Sequence, residues 1–579
     1  MSKQLSHSQR QVPIHESLQP LLIDGLKGIE KESLRIDRNG SISLSPHPIE
    51  LGSALTHPHI TTDYSEALLE LITPALSDGK ETLNFLTDLH KYVCANINDE
   101  LLLAASMPVG ALQDSAIPIA RYGSSNVGMM KHIYRRGLGY RYGRCMQVIA
   151  GIHFNYSLPE QFWPEYQQFK KHTGDLQSFV TNAYMEMIRN LQRYGWLILY
   201  LFGSSPAVSK SFVDSRNSAC SPTLEKFDDT SYYKPFATSL RMSEIGYVNP
   251  VQAMFHISFN SLDEYIRDLA SATTKSYLDY EKIGIKAGDQ YKQLNTNFLQ
   301  IENEYYTSVR PKQPTRPNER PLKALRSRGI EYIEIRSLDI DIFEPAGISI
   351  ETTRFLEALS LYCLFRGNSG HDLKQYEEVN NNALSVANQG RDPTLKLSDK
   401  GQAVSLQEWG LKLCEEMQEI CEVLDKGNDN KTYTQALHKQ REVVRHSELT
   451  SSARMLSAMR NQKLSITELV LQKSDEYARY FRNTPLETSV KKSFDAQVEA
   501  SLTQQEQLDT MTEIPFDKYL SNYFSEDATA NETCLQESKK KPGPGLEHLP
   551  DELRVVKEAK QEPKRREARA EAAVARRRR

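Results

Sequence analysis

The chain has 579 residues, 39% of them hydrophobic and 25% charged, with a formal net charge of −4. That length holds a large core or several domains, but the longest apolar run, residues 196–202, is far short of the roughly 20 that a membrane helix needs, and residues 1–17 lack the apolar stretch of an export signal. Residues 551–579 carry eleven Lys or Arg against six Asp or Glu, which leaves −9 on residues 1–550, an acidic body that does not suit nucleic-acid binding.

In chain order, "GIEKESLRID" (28–37) reads as a strand with Glu30 and Glu32 on one face, about 6.6 Å apart at a rise of roughly 3.3 Å per residue. At an effective dielectric of about 20 two such charges repel by about 2.5 kcal/mol, so the pair is either solvated or completed by a cation or a proton. His57 and His59 lack zinc spacing and are expected to be exposed loop histidines. "TTDYSEALLELITP" carries Asp63, Glu66 and Glu70, the last leading into a β-like run, and residues 80–97 place Leu86, Leu89, Val93 and Ile97 at helical spacing. "GSSNVG" (123–128) has the glycine spacing of a phosphate loop, but Met129 and Met130 stand where Lys and Ser/Thr belong; "GLGYRYG" is half a dinucleotide fingerprint.

"VIAGIHFNYSL" alternates, with His153 and Asn155 on one face and Ile152, Phe154 and Tyr156 on the other. Residues 178–202 read as an aromatic-rich helix, and the following "FGSSPA" is not the elbow of a hydrolase. "LQIENEYYTSVRPK" is expected to be another strand, bringing Glu302 and Glu304 with the donors Arg310 and Lys312, and "GIEYIEIRSLDI" (329–340) puts Glu334 and Arg336 on one face. Beyond about 350 the chain reads as almost entirely helical, Leu406, Trp409, Leu413, Met417, Ile420 and Leu424 stepping by three or four. Strands mixed with helices and followed by a helical half predict an α+β fold. Residues 526–579, a Pro/Gly linker and an Ala, Glu and Arg tail, are expected to be disordered, leaving 1–525 as the folded body. Seven scattered cysteines without a C-x-x-C pair fit a reducing cytoplasm.

A sheet with one face lined by carboxylates needs cations. Hard oxygen ligands suit Mg²⁺ or Mn²⁺, and a magnesium ion that keeps waters usually shares itself with phosphate. An arginine two residues from such a carboxylate suits a grip on a second anion. Metal ions, arginines and no covalent nucleophile are what phosphoryl transfer requires.

The motifs "GIEKESLR", "LGSALTHPHITTDYSEALLELITP", "YGSSNVG", "MQVIAGIHFNYSLP", "LFGSSPA", "FATSLRMSEIGY", "LQIENEYY", "RPK", "GIEYIEIRSLDI" and "LTSSARML" run in order from about 25 to 456. With them the chain resembles the bacterial-type glutamate–cysteine ligases. The resemblance implies a glutamine synthetase-like fold, an antiparallel sheet curled into a funnel and surrounded by helices. It also implies a cytoplasmic monomer that uses ATP to join L-cysteine to the γ-carboxylate of L-glutamate through a γ-glutamyl phosphate, with a ligase for another amine as the alternative. Carried over by motif, Glu30, Glu32, Asp63, Glu70, His153 and Glu334 are the expected metal ligands or their neighbours. Arg241 and Arg336 are expected at the glutamate carboxylates and the phosphoryl group, with Gln147 and Asn155 nearby. Tyr134 and Tyr247 are expected around the cysteine thiol, and Asn303 and Tyr306 beside the nucleotide. No membrane or nucleic-acid partner is expected.

Overall fold

The computed structural model describes residues 14–525 apart from 111–112, 216–222, 248, 369, 428 and 512–513; the expected linker and tail lie outside the described residues. Its centre is an antiparallel sheet whose main strands are β1 (Leu26–Ile36), β2 (Ile60–Thr62), β3 (Leu68–Ile72), β4 (Leu101–Leu102), β5 (Ile152–Ser157), β6 (Val309–Lys312) and β7 (Tyr332–Leu338). The order is β6–β7–β5–β1–β3–β2, with β4 paired to the end of β1. The α+β class predicted from the mixed strand and helix patterns holds, and the sheet is the curled antiparallel one that the resemblance implied.

Both faces of β1 are built from charge. Gly28, Glu30, Glu32 and Leu34 point to the front and Lys27, Ile29, Lys31, Ser33 and Arg35 to the back, where every one of them is buried. The helices α1 (Gly79–Asn96), α3 (Leu176–Phe202) and α4 (Ile350–Phe365) help to cover the back of the sheet. Lys27 Nζ lies 2.8 Å from Glu357 on α4, and Lys31 Nζ donates to Ser33 Oγ at 2.6 Å and meets His90 Nε2 of α1 at 3.0 Å. Buried charges of this kind persist only with partners. Helix α3 is buried for most of its length because helices pack on its outer side as well as the sheet on its inner side.

Caps fix where the helices start: Asp78 accepts from the Lys80 amide at α1, and Ser125 from the Gly128 amide at α2 (Asn126–Tyr142). The helical reading beyond 350 holds with two exceptions. Lys396–Asp399 and Gln402–Ser405 form a hairpin, and the helix read across Leu406–Leu424 breaks in two at Met417. The stretch around Glu302 and Glu304 is no strand: it is a 3₁₀ turn, and pairing begins only at Val309. His57 is buried, its Nδ1 accepting from the backbone amides of His59 and Ile60, which overturns the expectation of an exposed loop histidine.

Candidate active site

The front of the sheet carries its acids in register. Glu30 on β1 is opposite His153 on β5, Glu32 is opposite Glu70 on β3, and Glu334 on β7 lies between Asn155 of β5 and Arg310 of β6. Cross-strand partners have Cβ atoms about 4.5–5.5 Å apart, so the pairing itself gathers the segments that the alternation had marked. Glu30, His153 and Glu334 offer ligand atoms all within 4.8 Å of one another. His153 Nδ1 is 3.1 Å from Glu30 Oε2 and 3.7 Å from Glu334 Oε1, and its Nε2 is 3.9 Å from Glu32 Oε1. The Asn155 amide donates to Glu30 Oε1 at 2.9 Å. Arg336 Nη1 and Lys312 Nζ stand 3.0 and 3.3 Å from Glu334 Oε1, while Glu334 Oε2 is buried without a partner.

Electrostatics divides these acids. Burial opposes ionisation of Glu334, yet Arg336, Lys312, His153 and Arg310 together hold it well below the usual carboxylate range. Burial likewise opposes charge on Glu30, and the His153 hydrogen bond and Lys312 overcome it. Glu70 is driven well above the usual range by burial and then by Glu30, Asp63 and Glu32. Burial also raises Glu32, whose Oε2 accepts from the Gly151 amide at 2.5 Å. A hard divalent cation fits this donor set: carboxylate oxygens, one imidazole and a buried carboxylate oxygen with nothing bound to it. Asp63 stands apart from the compact trio, its carboxylate 3.9 Å from Arg135 of α2.

The remaining expected residues fall into two groups. Arg241, on the 3₁₀ turn Leu240–Met242, donates from Nη2 to the Arg336 carbonyl at 3.1 Å and leans on Gly151, where a Cβ would come within 1.9 Å of it. Tyr247 and Tyr306 pack with ring centroids 4.5 Å apart, and Gln147 Nε2 donates to the Tyr306 hydroxyl at 3.1 Å. Tyr134 on α2 faces the same cluster: burial first, then Glu304 and Tyr247, push its phenol far up. Tyr306 is thus grouped with Tyr247, whereas Asn303 is exposed on its turn. Glu302 and Glu304 serve as ion-pair anchors, Glu302 to Arg320 at 3.0 Å and Glu304 to Arg141 at 2.9 Å.

Sequence reasoning left Lys131 and Arg135 out of the site. They lie four residues apart on α2, so they share a face, and both sit over the Tyr122 ring, at 5.2 and 4.7 Å from its centroid. Burial beside Arg135 lowers Lys131 to about 8. Arg310 and Lys312 repeat on β6 the i, i+2 habit of the carboxylates, a signal that was present in the sequence.

A family described as glutamate-cysteine ligase matches residues 13–386. A glutamate–cysteine ligase of Pseudomonas paraeruginosa is 44% identical over 504 residues, covering 87% of this chain and 95% of its own length; one from Janthinobacterium is 43% identical over 503 residues, covering 87% and 94%. The crystal structure of a Francisella tularensis glutamate–cysteine ligase in complex with AMP superposes with a TM-score of 0.82 at 35% identity, covering 87% of this chain and 98% of that one. A bifunctional glutathione synthetase from Pasteurella multocida shares the fold, with a TM-score of 0.62 at 24% identity over 83% of this chain and 56% of its own. A sheet whose front gathers acids and guanidinium groups, in a chain matched along most of its length, leads to one conclusion: this protein belongs to the glutamate–cysteine ligase family.

Proposed function

We propose that this chain joins L-glutamate and L-cysteine at the expense of ATP, giving γ-L-glutamyl-L-cysteine, ADP and phosphate, the first step of glutathione synthesis. The observation that carries the reading is the meeting of Glu30, His153 and Glu334 within 4.8 Å, with Arg336 and Lys312 against the same carboxylate. An oxygen of the glutamate γ-carboxylate attacks the γ-phosphorus of ATP and ADP leaves. The cysteine amine then attacks the acyl carbon of the γ-glutamyl phosphate, loses a proton, and phosphate leaves.

Glu30, Glu32, Glu70, His153 and Glu334, with Asp63 at the margin, would hold Mg²⁺ or Mn²⁺. The bound cation supplies neutralisation between the triphosphate and the incoming carboxylate. Arg336, kept charged by Glu334 and fixed by it, and Arg241 beside it would meet the glutamate carboxylate and the charge that develops on the phosphoryl oxygens. Asn155 and Gln147 would orient glutamate through amide hydrogen bonds. Tyr134, Tyr247 and Tyr306 form an aromatic wall suited to a thiol side chain, and exposed Asn303 is left to border the nucleotide. Lys131 and Arg135 supply further positive charge for an anionic substrate.

Among the described residues no helix is long and apolar enough to cross a membrane; the proposed setting is the cytoplasm, with the chain acting as a monomer and residues 1–525 as the catalytic domain. The test is phosphate release from ATP and glutamate, compared with cysteine, 2-aminobutyrate and ammonia as the amine. Cysteine is expected to give the highest kcat/KM; equal rates with all of them would point to a ligase for another amine and overturn the assignment of the aromatic wall.

A further inference from the structure

Three of the motifs meet at a carboxylate outside the proposed reaction, and a fourth joins them through a serine. Asp339, just after β7, is buried. Its Oδ2 accepts from the Ser204 amide at 2.8 Å and the Ser205 hydroxyl at 2.6 Å, both from "LFGSSPA". Its Oδ1 accepts from the Ser239 hydroxyl of "FATSLRMSEIGY" at 3.0 Å and lies 3.8 Å from Arg241 Nη1. Ser204 Oγ continues the network to Ser451 Oγ of "LTSSARML" at 2.8 Å, and Ser451 donates to Asp341 at 2.6 Å. The same serines hold the backbone of the turn that bears Arg241: the Arg241 amide donates to Ser205 Oγ at 3.3 Å, and the Leu240 amide to the Ser205 carbonyl at 2.7 Å.

Arg241 needs such support because little else fixes it. Its Nη2 has the Arg336 carbonyl, its Nη1 contacts Met242 Sδ, and its buried Nε has no partner. Its guanidinium is buried with one firm hydrogen bond, so its alignment at the moment of phosphoryl transfer depends on the charges packed around it. A buried carboxylate with three short neutral donors and one guanidinium at longer range keeps its own position and acts on the arginine through charge.

We propose that Asp339 is a positioning residue, whose serine-held carboxylate fixes the Arg241 guanidinium over Gly151 so that its charge meets the glutamate and phosphoryl groups. The proposal rests on the reading of Arg241 given above.

The experiment is a double-mutant cycle on the full-length chain with saturating ATP and magnesium, measuring kcat and KM for glutamate and for cysteine. Asp339→Asn is expected to lower kcat/KM for glutamate by about 100-fold, the penalty for small misplacement of a binding group, while KM for cysteine stays near that of the unmodified chain. In an Arg241→Ala background the same substitution should add almost nothing. If Arg241→Ala alone is fully active, the reading of Arg241 falls and the inference with it. If Arg241→Ala is impaired but Asp339→Asn is not, or if the two losses multiply in full, the positioning role alone is overturned. Should Asp339→Asn fail to fold, Ser205→Ala carries the same cycle, with about a 10-fold loss that vanishes without Arg241.

Discussion

Glu334 gathers three groups of the proposed site: one of its oxygens sees Arg336, Lys312 and His153, and the other has no protein partner. Glu30→Gln, Glu70→Gln and Arg336→Ala are each expected to reduce kcat by about 100-fold or more, since each removes a proposed cation ligand or a charge aimed at the substrate, while circular dichroism remains that of the folded chain. Normal turnover in all three would end the shared-cation reading. Gly151 carries a different kind of constraint, as it has no side chain only because Arg241 occupies that space, 1.9 Å from where a Cβ would stand. Gly151→Ala should therefore displace the guanidinium and cost about 100-fold in kcat/KM for glutamate, measurable in the same phosphate-release assay.

At the scale of elements, α2 brings Lys131, Tyr134 and Arg135 to the site, and its N-terminus is held from far along the chain. Asp509, near the end of Thr488–Thr510, accepts from the backbone amides of Ser124 and Ser125 at 2.7 and 2.9 Å. Asp509→Ala is expected to cost about 1–2 kcal/mol in denaturant unfolding and to raise KM, because the helix carrying those side chains loses its anchor. Acid should act on α1 and on the loop before β2. His90 accepts from Lys31 through Nε2 and donates to Leu86 through Nδ1, and burial and then Lys31 hold it well below its usual range; burial and then His59 bring His57 down to about 4. Both are neutral when folded and take a proton near pH 6.5 when unfolded. Their contribution is complete above about pH 6.5 and falls with pH below that, the part from His57 being lost toward about 4. The melting temperature should fall across that window, and His57→Gln should flatten the fall.

The strands β1 and β5 and the helices α1 and α3 were legible because one period runs through each of them without a break; β7 keeps its period up to Ile335 and shifts register before Leu338. Glu302 and Glu304 mimicked that period over too few residues, and the neighbouring Arg320 and Arg141, which decide their fate, are remote in sequence. Lys131 and Arg135 could be placed on one helical face, but no local pattern says that this face meets Tyr122 and Asp63. Nothing local to Lys27 and Lys31 marks them as buried, because their partners Glu357 and His90 come from helices far along the chain.

For the molecule as a whole, the described residues through Tyr523 form one contact unit. A chain ending at residue 525 should keep its turnover and melting temperature, and loss of either would give the remaining segment a role. Magnesium is expected to stabilise the full chain by about 2.7 kcal/mol at a hundred times its Kd, a gain that Glu334→Gln should abolish in thermal melts without any substrate present. The two-sided charge of β1 also bears on how the sheet assembles. A slip of one residue against β3 or β5 would turn Lys27 and Lys31 toward the acids' side and drive Glu30 and Glu32 into the packed helices. An ordinary amphipathic strand that slips exchanges greasy for polar; this one would strand ions of both signs where nothing answers them. Its alternating signs therefore act as a proofreading code, making misregistered sheets too costly to persist during folding.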